Sequence, residues 1–239
     1  MRTSPQAPMP RPLTNYFIKL LAALLMAIDH VGAVLLPELL LLRVIGRFSF
    51  PLFAWLLVQG ESHTRNFRRY ALRLLGFGIL SQPIYMLTFR VQRPNILFVL
   101  LLGLLCLRFA RKFPRWQLFI WIGAGILAAA TDMEYSSYGI AAIALISWFD
   151  GSWLWWIGWL LLHLLTWLTL PTLGYLQIPA ILAPLLFSLT NHQQGAKARW
   201  FYFFYPLHLL VLLLIRATGA FPTLSSTLAE FAAVIQQLT

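Results

Sequence analysis

The most constraining feature of this sequence is a series of apolar stretches that follow one another along most of its length. Each stretch is about 15 to 20 residues long, and a helix needs about 20 apolar residues to cross a bilayer. The stretches lack the alternation of polar and apolar residues that membrane-spanning strands show. Because 60% of the residues are hydrophobic and only 10% are charged, little chain remains for a soluble domain. The sequence therefore predicts an all-α, polytopic transmembrane helical bundle.

The pattern predicts about nine spans, which we place in one transmembrane domain over residues 17–219. Residues 1–16 are polar and rich in proline, and we expect them to form a disordered cytoplasmic N-terminus. Residues 220–239 are expected to form an amphipathic or flexible periplasmic tail. The predicted spans are residues 17–36, 43–60, 70–88, 95–109, 116–131, 138–150, 153–170, 175–190 and 200–217.

The charge distribution predicts how these spans are oriented. The formal net charge is +11, from 18 Lys and Arg against 7 Asp and Glu, and in a soluble protein such a charge would favour nucleic acid as a partner. In a chain of alternating spans, most of the basic residues fall on the side of the N-terminus, as the positive-inside rule requires. We therefore predict a multi-pass protein of the bacterial inner (plasma) membrane that contacts anionic lipids and no nucleic acid. Its N-terminus is expected in the cytoplasm and its C-terminus in the periplasm.

The dipeptide Asp29-His30 is unusual because it lies well inside the first apolar stretch. A charged residue near the centre of a bilayer costs about 2.5–3.5 kcal/mol, and such residues usually mark functional sites. Asp29 is the only acidic residue deep within a long apolar stretch. We interpret His30 as a base that takes a proton from a nucleophile, with Asp29 orienting it or holding an ammonium group. The alternative is a buried ion pair of Asp29 with an arginine, which would fix helix packing.

Two arginines, Arg43 and Arg47, open the second predicted span. They are four residues apart and therefore share one helix face. Because the first two spans form a hairpin, either arginine could reach Asp29. Their guanidinium groups could bind a carboxylate, a phosphate or a thioester oxygen, while the alternative is contact with the lipid headgroups. We assign Arg47 a catalytic role with Asp29 and His30, and Arg43 a role in binding substrate.

Further polar residues are predicted at the same membrane depth. Asn95 and Tyr138 open the fourth and sixth predicted spans, and Tyr205 and His208 lie in the ninth. We predict that His208 is a second catalytic histidine and that Asn95, Tyr138 and Tyr205 bind substrate. His163 stands among apolar residues, and we expect it to be structural. The single cysteine, Cys106, supplies no disulfide.

A basic helix face follows the second predicted span. Arg65, Arg69 and Arg73 repeat every four residues, and His63 precedes them. A phosphorylated cofactor such as coenzyme A could dock on these four residues, whereas the alternative is contact with anionic lipid. The five histidines are scattered, and none is paired with a carboxylate at the spacing of a metal site. The sequence therefore predicts no metal.

Six short motifs, taken together and in order, resemble the TraX family. The resemblance covers about residues 28–210, and the combination is more specific than any single motif. The motifs are IDH at residues 28–30, GRFSFPLFA at 46–54, HTRN at 63–66, NILF at 95–98, SYGI at 137–140 and FYPLHL at 204–209.

This resemblance implies an inner-membrane acetylase of conjugative pilin, distantly similar to membrane acyltransferases, with acetyl-CoA as the donor. The acceptor it implies is the N-terminal amine of a pilin, or else another exported peptide or a glycan. His30 is then the first choice for the base, His208 the second, and Arg47 would stabilise the oxyanion. Two alternatives stay open on the residues alone. One is an enzyme that joins the pilin ends head to tail without coenzyme A, and the other is a proton-coupled transporter or other non-enzymatic protein.

Overall fold

The structure, a computed structural model, describes residues 13–191, 193, 195–196 and 200–219. Nearly all of the predicted N-terminal segment and all of the predicted tail at 220–239 lie outside these described residues. The described part is helical, which confirms the predicted fold class. Its helices are α1 (Asn15–Val34), α2 (Leu40–Gly46), α3 (Ser49–His63), α4 (Phe67–Phe89), α5 (Ile96–Lys112), α6 (Gln117–Ala130), α7 (Ser136–Ser147), α8 (Trp153–Thr169), α9 (Pro171–Gln177), α10 (Ala183–Ser188) and α11 (Phe201–Ala217).

Four helical segments of the described part are long and apolar enough to cross a membrane: Asn15–Val34, Leu40–His63, Phe67–Phe89 and Pro171–Ser188. Shorter apolar helices are α7, α8 and α11. The membrane character predicted from the sequence is therefore confirmed, while the number of nine spans and the orientation of the termini stay predictions. Helices α6 and α8 leave large apolar side chains such as Ile126 and Leu165 exposed, as a surface that faces lipid requires.

The second predicted span is broken where the sequence analysis expected one continuous helix. Helix α2 ends at Gly46, and α3 begins at Ser49. Pro51 occupies the first turn of α3, where the missing N–H of a proline costs no helical hydrogen bond. The break places Arg47 at the junction of the two helices, so that its side chain can turn back towards α1. The eighth predicted span is likewise divided, into α9, the 3₁₀ turn Ile178–Leu182 and α10.

Helix α1 occupies the middle of the site region, because it packs against α2, α3 and α11. Ile18 and Ala22 of α1 and Leu52 of α3 are fully buried at these contacts. Helix α11 also packs on α4, and α5 packs between α4, α6 and α7. This arrangement brings residues from the beginning and the end of the chain to the same depth.

Each end of helix α3 lies beside a group of charged residues. The Asp29 end comprises Asp29, Arg43 and Arg47, just before α3 begins, and the Glu61 end comprises Glu61, Arg108 and Arg111, at its last turn. A helix rises about 1.5 Å per residue, so the length of α3 separates the two ends by about 20 Å.

Candidate functional site

A buried carboxylate clamped by two arginines forms the base of the site. Asp29 accepts a 2.7 Å hydrogen bond at Oδ2 from Nη1 of Arg43, and a 3.0 Å bond at Oδ1 from Nε of Arg47. Nη2 of Arg47 also pairs with Oδ2. Asp29 and Arg47 are each only 5% exposed. The arrangement agrees with the shared helix face of Arg43 and Arg47 expected from the sequence, and it holds the guanidinium of Arg47 in a fixed plane.

Close packing of α2 on α1 makes this clamp possible. A Cβ added at Gly46 would lie 2.6 Å from Cα of Asp29, and one at Gly32 would lie 2.7 Å from Cβ of Leu42. Only a glycine leaves room for such an approach, as is common where membrane helices meet. Gly46 therefore sets the distance at which Arg47 meets Asp29.

A pair of histidines lies directly beside the clamp. Nδ1 of His30 and Nε2 of His208 are 2.8 Å apart, although the residues are 178 positions apart in the chain. Nδ1 of His208 is 2.7 Å from the carbonyl oxygen of Phe204. Because a carbonyl can only accept, Nδ1 of His208 must carry a proton and, in the neutral ring, its Nε2 must accept. The proton in the shared bond therefore belongs to Nδ1 of His30, and Nε2 of His30 is left with a free lone pair.

Aromatic rings fix the orientation of both imidazoles. Phe89 meets His30 edge-on with ring centroids 4.9 Å apart, and Phe204 stacks on His208 at 4.8 Å. Tyr205 contacts His208 at 5.6 Å. His30 is buried and His208 is partly exposed, so the contacts hold the two rings in place while one side of the pair stays accessible.

A cavity of about 520 Å³ leads from a basic surface towards this pair. Its basic mouth is formed by Lys19, His63, Arg65 and Arg73, and its inner end by Met26, Ile96, Phe204 and Tyr205. Met26 lies four residues before His30 on α1, so the two side chains share a helix face. Phe204 and Tyr205 contact His208 in turn. The cavity thus reaches residues that contact the histidine pair, although neither histidine lines it, and its volume is typical of a site for a small molecule.

Three of the four residues predicted to bind a cofactor line the mouth, namely His63, Arg65 and Arg73. Arg69 lies on a neighbouring surface hollow, which Asn66, Arg68 and Arg73 also line. The side-chain oxygen of Asn66 accepts a 2.9 Å hydrogen bond from the backbone N–H of Arg69 and caps α4. Arg73 belongs to both surfaces, so the basic face expected from the sequence continues from the mouth to Arg69, and a role of Arg69 in binding a cofactor stays a prediction.

The polar groups of Asn95 are engaged within the protein. Its side-chain oxygen caps α5 by accepting from the N–H of Leu97 at 3.0 Å, and its amide donates to Gly78 and to Gln82 at 2.9 and 2.8 Å. Asn95 is fully buried. It joins the start of α5 to the middle of α4, whereas its predicted contact with substrate stays a prediction.

Tyr138 and His163 form a buried pair that the sequence analysis missed. His163 stands among apolar residues in the sequence, but in the structure its Nε2 lies 3.2 Å from the hydroxyl of Tyr138 and its Nδ1 lies 2.8 Å from the carbonyl oxygen of Trp159. The same reasoning on tautomers makes His163 the acceptor and Tyr138 the donor. The hydroxyl of Tyr138 is therefore directed at His163.

The loop between α6 and α7 adds a carboxylate that the sequence analysis did not select. Glu134 faces the hydroxyl of Tyr85, the first backbone N–H of α5 at Ile96, and the guanidinium of Arg47. Burial raises the pKa of Glu134 to about 7, and the nearby Arg47 opposes this shift. A signal was present in the sequence, because Glu134 closely precedes the SYGI motif in a chain with only 7 acidic residues.

A second buried carboxylate, Glu61, was also unexpected, because it lies at the end of an apolar stretch and not deep within one. Its side chain is fully buried and pairs with Nε of Arg108 at 2.9 Å and with Nη2 of Arg111 at 2.6 Å. The three residues share no local pattern that places them together. Within the described residues, no group of three or more His, Cys, Asp or Glu could hold a metal ion.

The chain is similar to a known protein family and to several known proteins. The family model described as TraX protein matches residues 15–216. A probable fimbrial assembly protein, FimC of serogroup H1, from Dichelobacter nodosus is 30% identical over 238 residues, which cover 82% of this chain and 92% of that protein. Protein TraX of Escherichia coli is 31% identical over 134 residues, covering 54% of this chain and 52% of that protein. No solved structure matches the chain.

Proposed function

The chain belongs to the TraX family, and from this premise we propose that it is an integral membrane acyltransferase. It moves an acetyl group from acetyl-CoA to the N-terminal amine of a pilin or of another exported acceptor. The names of two relatives, one a fimbrial assembly protein and the other a TraX protein, support a pilus component as the acceptor.

The observation that carries this proposal is the cavity between the basic mouth and Phe204 and Tyr205, the two residues whose rings contact His208. Coenzyme A bears phosphates at one end and a narrow, largely uncharged arm that ends in the thioester. Arg65 and Arg73 suit the phosphates. The inner end, lined by Phe204 and Tyr205, suits the arm and its acyl group. A cavity that ran only along lipid-facing surfaces, or that lacked a cationic mouth, would not favour this donor.

The free lone pair on Nε2 of His30 supplies the base. As the acceptor amine attacks the carbonyl carbon of the thioester, one N–H proton passes to Nε2 of His30. The carbon–sulfur bond then breaks, and the imidazolium returns the proton to the departing thiolate. The products are an amide and free coenzyme A. His208 does not act as the base in this scheme, because its Nε2 already accepts from His30.

Arg47 supplies the oxyanion stabilisation. Asp29 occupies Nε and Nη2 of this guanidinium, which leaves Nη1 to donate to the oxygen of the tetrahedral intermediate. A donor that is already fixed before the reaction needs no reorganisation as charge develops. Asp29 thus orients Arg47, and the ion pair serves the reaction as well as packing.

The predicted topology gives each substrate its own side of the membrane. With the N-terminus in the cytoplasm and about nine spans in the inner membrane, the basic mouth and the Glu61 end face the cytoplasm, where acetyl-CoA is found. The Asp29 end then faces outward, where an exported acceptor arrives. Accessibility labelling of single cysteines placed at Arg65 and at Glu38 tests this orientation, because only the first should be shielded from an impermeant reagent in intact cells.

The decisive experiment measures transfer of labelled acetyl from acetyl-CoA to a membrane-associated acceptor. His30→Ala is expected to abolish transfer while the protein still inserts, and His208→Ala to reduce it about 10²-fold, within the range for proton transfer catalysis. His163→Ala is the matched control, since it removes a buried histidine with the same Nδ1–carbonyl bond whose ring contacts Tyr138 and Trp159.

The mass of the acceptor separates the remaining alternatives. A gain of one acetyl group supports the proposal, whereas the loss of one water would indicate head-to-tail joining of the acceptor. Full transfer activity in His30→Ala would remove His30 from the mechanism. Uptake driven by a pH gradient in vesicles, lost in Asp29→Asn, would favour a transporter instead.

A further inference from the structure

Two buried oxygen atoms near the inner end of the cavity have no hydrogen-bond partner among the described residues. They are Oε2 of Glu134 and the hydroxyl of Tyr205, which is 4% exposed. The two groups lie close enough for their charges to interact, and the N–H of Ile96 lies at the same point. Buried polar atoms are almost always hydrogen-bonded in folded proteins. A carboxylate oxygen that can only accept, beside a hydroxyl that can accept as well as donate, therefore points to a ligand that brings donors.

We propose that Glu134, together with the hydroxyl of Tyr205, receives the ammonium form of the acceptor and takes its first proton. This inference rests on the proposed acetyl transfer. An ammonium group offers three donors, of which one can bond Oε2 of Glu134 and another the oxygen of Tyr205. The hydroxyl of Tyr85 also faces Glu134 and helps to position its carboxylate.

The charges around Glu134 suit a proton acceptor better than a permanent anion. The carboxylate of Asp29 compensates the positive charge of one arginine in the clamp. The charge of the other arginine can be balanced by Glu134 in its ionised form. Burial holds the pKa of Glu134 near that of a base that works at neutral pH. The charged and titratable groups that face it are Asp29, Arg43, Arg47, Tyr85, Arg93, Tyr135 and Tyr205.

The two proton acceptors then act in sequence. Glu134 takes one proton from the ammonium, which leaves a neutral amine and a protonated carboxyl. The neutral amine attacks the thioester, and its second proton passes to Nε2 of His30 and on to the thiolate. The proton on Glu134 is released to water from the loop between α6 and α7. The acceptor loses two protons in total, one to solvent and one to coenzyme A.

Ring contacts connect this subsite to the histidine pair. Tyr85 contacts Phe89 at 5.1 Å, and Phe89 contacts His30 at 4.9 Å. Tyr205 contacts His208 at 5.6 Å. Tyr85 and Tyr205, which lie beside Glu134, are thus each within one or two ring contacts of the histidine pair.

The test uses the full chain in lipid vesicles with two acceptors. One is a short peptide with an aliphatic N-terminal amine, and the other carries an aromatic amine that is already neutral near pH 7. Glu134→Gln is expected to slow transfer to the aliphatic amine at least about 10²-fold and to leave transfer to the aromatic amine close to wild type. Asp132→Asn, in the same loop and exposed, is the matched control and should change neither rate.

Equal losses with both acceptors in Glu134→Gln would overturn the inference, because they would show a structural role. Wild-type transfer to the aliphatic amine in that variant would overturn it as well. Tyr205→Phe removes a single hydroxyl and should reproduce the preference for the aromatic amine if Glu134→Gln does not fold.

A binding measurement separates this inference from the proposed function. The aliphatic peptide should raise the melting temperature of the wild type, whereas its N-acetylated form should not. This difference should vanish in Glu134→Gln. If no acetyl transfer is seen but the difference persists, the transfer proposal fails and the ammonium subsite stands. If both peptides behave alike in the wild type, the subsite is refuted.

Discussion

The Asp29 end and the Glu61 end contain the same ionic motif, a buried carboxylate held by two arginines from one helical segment. At the Asp29 end the arginine side chains are 22% and 6% exposed, and at the Glu61 end they are 36% and 56% exposed. Arg47 is therefore enclosed by protein, whereas Arg108 and Arg111 reach solvent. Arg108 also packs over the ring of Phe67 at 4.5 Å.

The difference shows that an ion pair inside a membrane protein does not by itself identify a site. What distinguishes the Asp29 end is its surroundings: a histidine pair that leaves Nε2 of His30 free, and a cavity whose lining residues Phe204 and Tyr205 contact His208. The Glu61 end has both of its carboxylate oxygens in ion pairs, within 2.9 Å of arginine nitrogens. It lies where α3 and α5 meet, and its geometry accounts for packing alone.

The largest expected effect on stability comes from replacing the carboxylate at one end of α3 or the other. Asp29→Asn leaves the enclosed Arg47 without a counter-charge, which should cost about 3–5 kcal/mol in the free energy of unfolding and abolish transfer. Glu61→Gln leaves two arginines that can turn to water, so a cost of roughly 1 kcal/mol or less is expected. Unfolding in mixed micelles measures both. Equal costs would contradict the difference in enclosure between the two ends.

A second comparison exchanges one arginine at each end for lysine. Arg47→Lys keeps the positive charge but loses the planar guanidinium, which can donate to Asp29 and to an oxyanion at the same time. Transfer should fall about 10²- to 10³-fold, the usual cost of losing one oxyanion donor. Arg111→Lys should alter the rate by less than about twofold, because an exposed ion pair contributes little. A large rate effect of Arg111→Lys would place the Glu61 end in the mechanism.

Two glycine variants test whether close packing sets the geometry of the clamp. An alanine at Gly46 must displace Asp29, and overpacking of this kind costs about 1–3 kcal/mol. At Gly76 nothing lies within 4 Å of an added Cβ, so Gly76→Ala should be neutral or stabilise α4 by up to about 1 kcal/mol. Melting temperatures and transfer rates report both effects. A neutral Gly46→Ala would mean that α2 can move away without loss.

The smallest effect concerns the proton of Glu134. Its folded-state pKa, about 7, is raised above the ordinary 4.5, so the folded protein binds this proton more tightly than the unfolded chain. Stability should therefore be highest at low pH and should decrease as pH rises between about 4.5 and about 7. Because part of the side chain of Glu134 is exposed to solvent, we expect the free energy of unfolding to change by about 1 kcal/mol across this window.

The measurement is a series of melting curves across this pH window. Glu134→Gln should remove the dependence, and Asp132→Asn should keep it because Glu134 is intact. A slope of the opposite sign in the wild type would show that Glu134 is stabilised as a carboxylate and would remove it as a candidate base.

The sequence predicted well those features that depend on neighbours along the chain. The helical class follows from long apolar stretches, because a backbone in lipid must satisfy its own hydrogen bonds. The clamp at Asp29 was also predictable, since Arg43 and Arg47 share a face and the first two helices form a hairpin. The basic character of the segment around Arg65 and Arg73 was evident for the same local reason.

The tertiary structure alone decided the rest, because it joins residues that no local pattern relates. The bond between His30 and His208, 178 residues apart, depends on the packing of α1 against α11. The carbonyl of Phe204 then determines which imidazole nitrogen is free. Glu61 and Glu134 lie at the ends of apolar stretches, and only packing against other helices buries their carboxylates. The sequence by itself thus determined which charges enter the membrane domain, while the packing of distant helices determined which of them are left able to react.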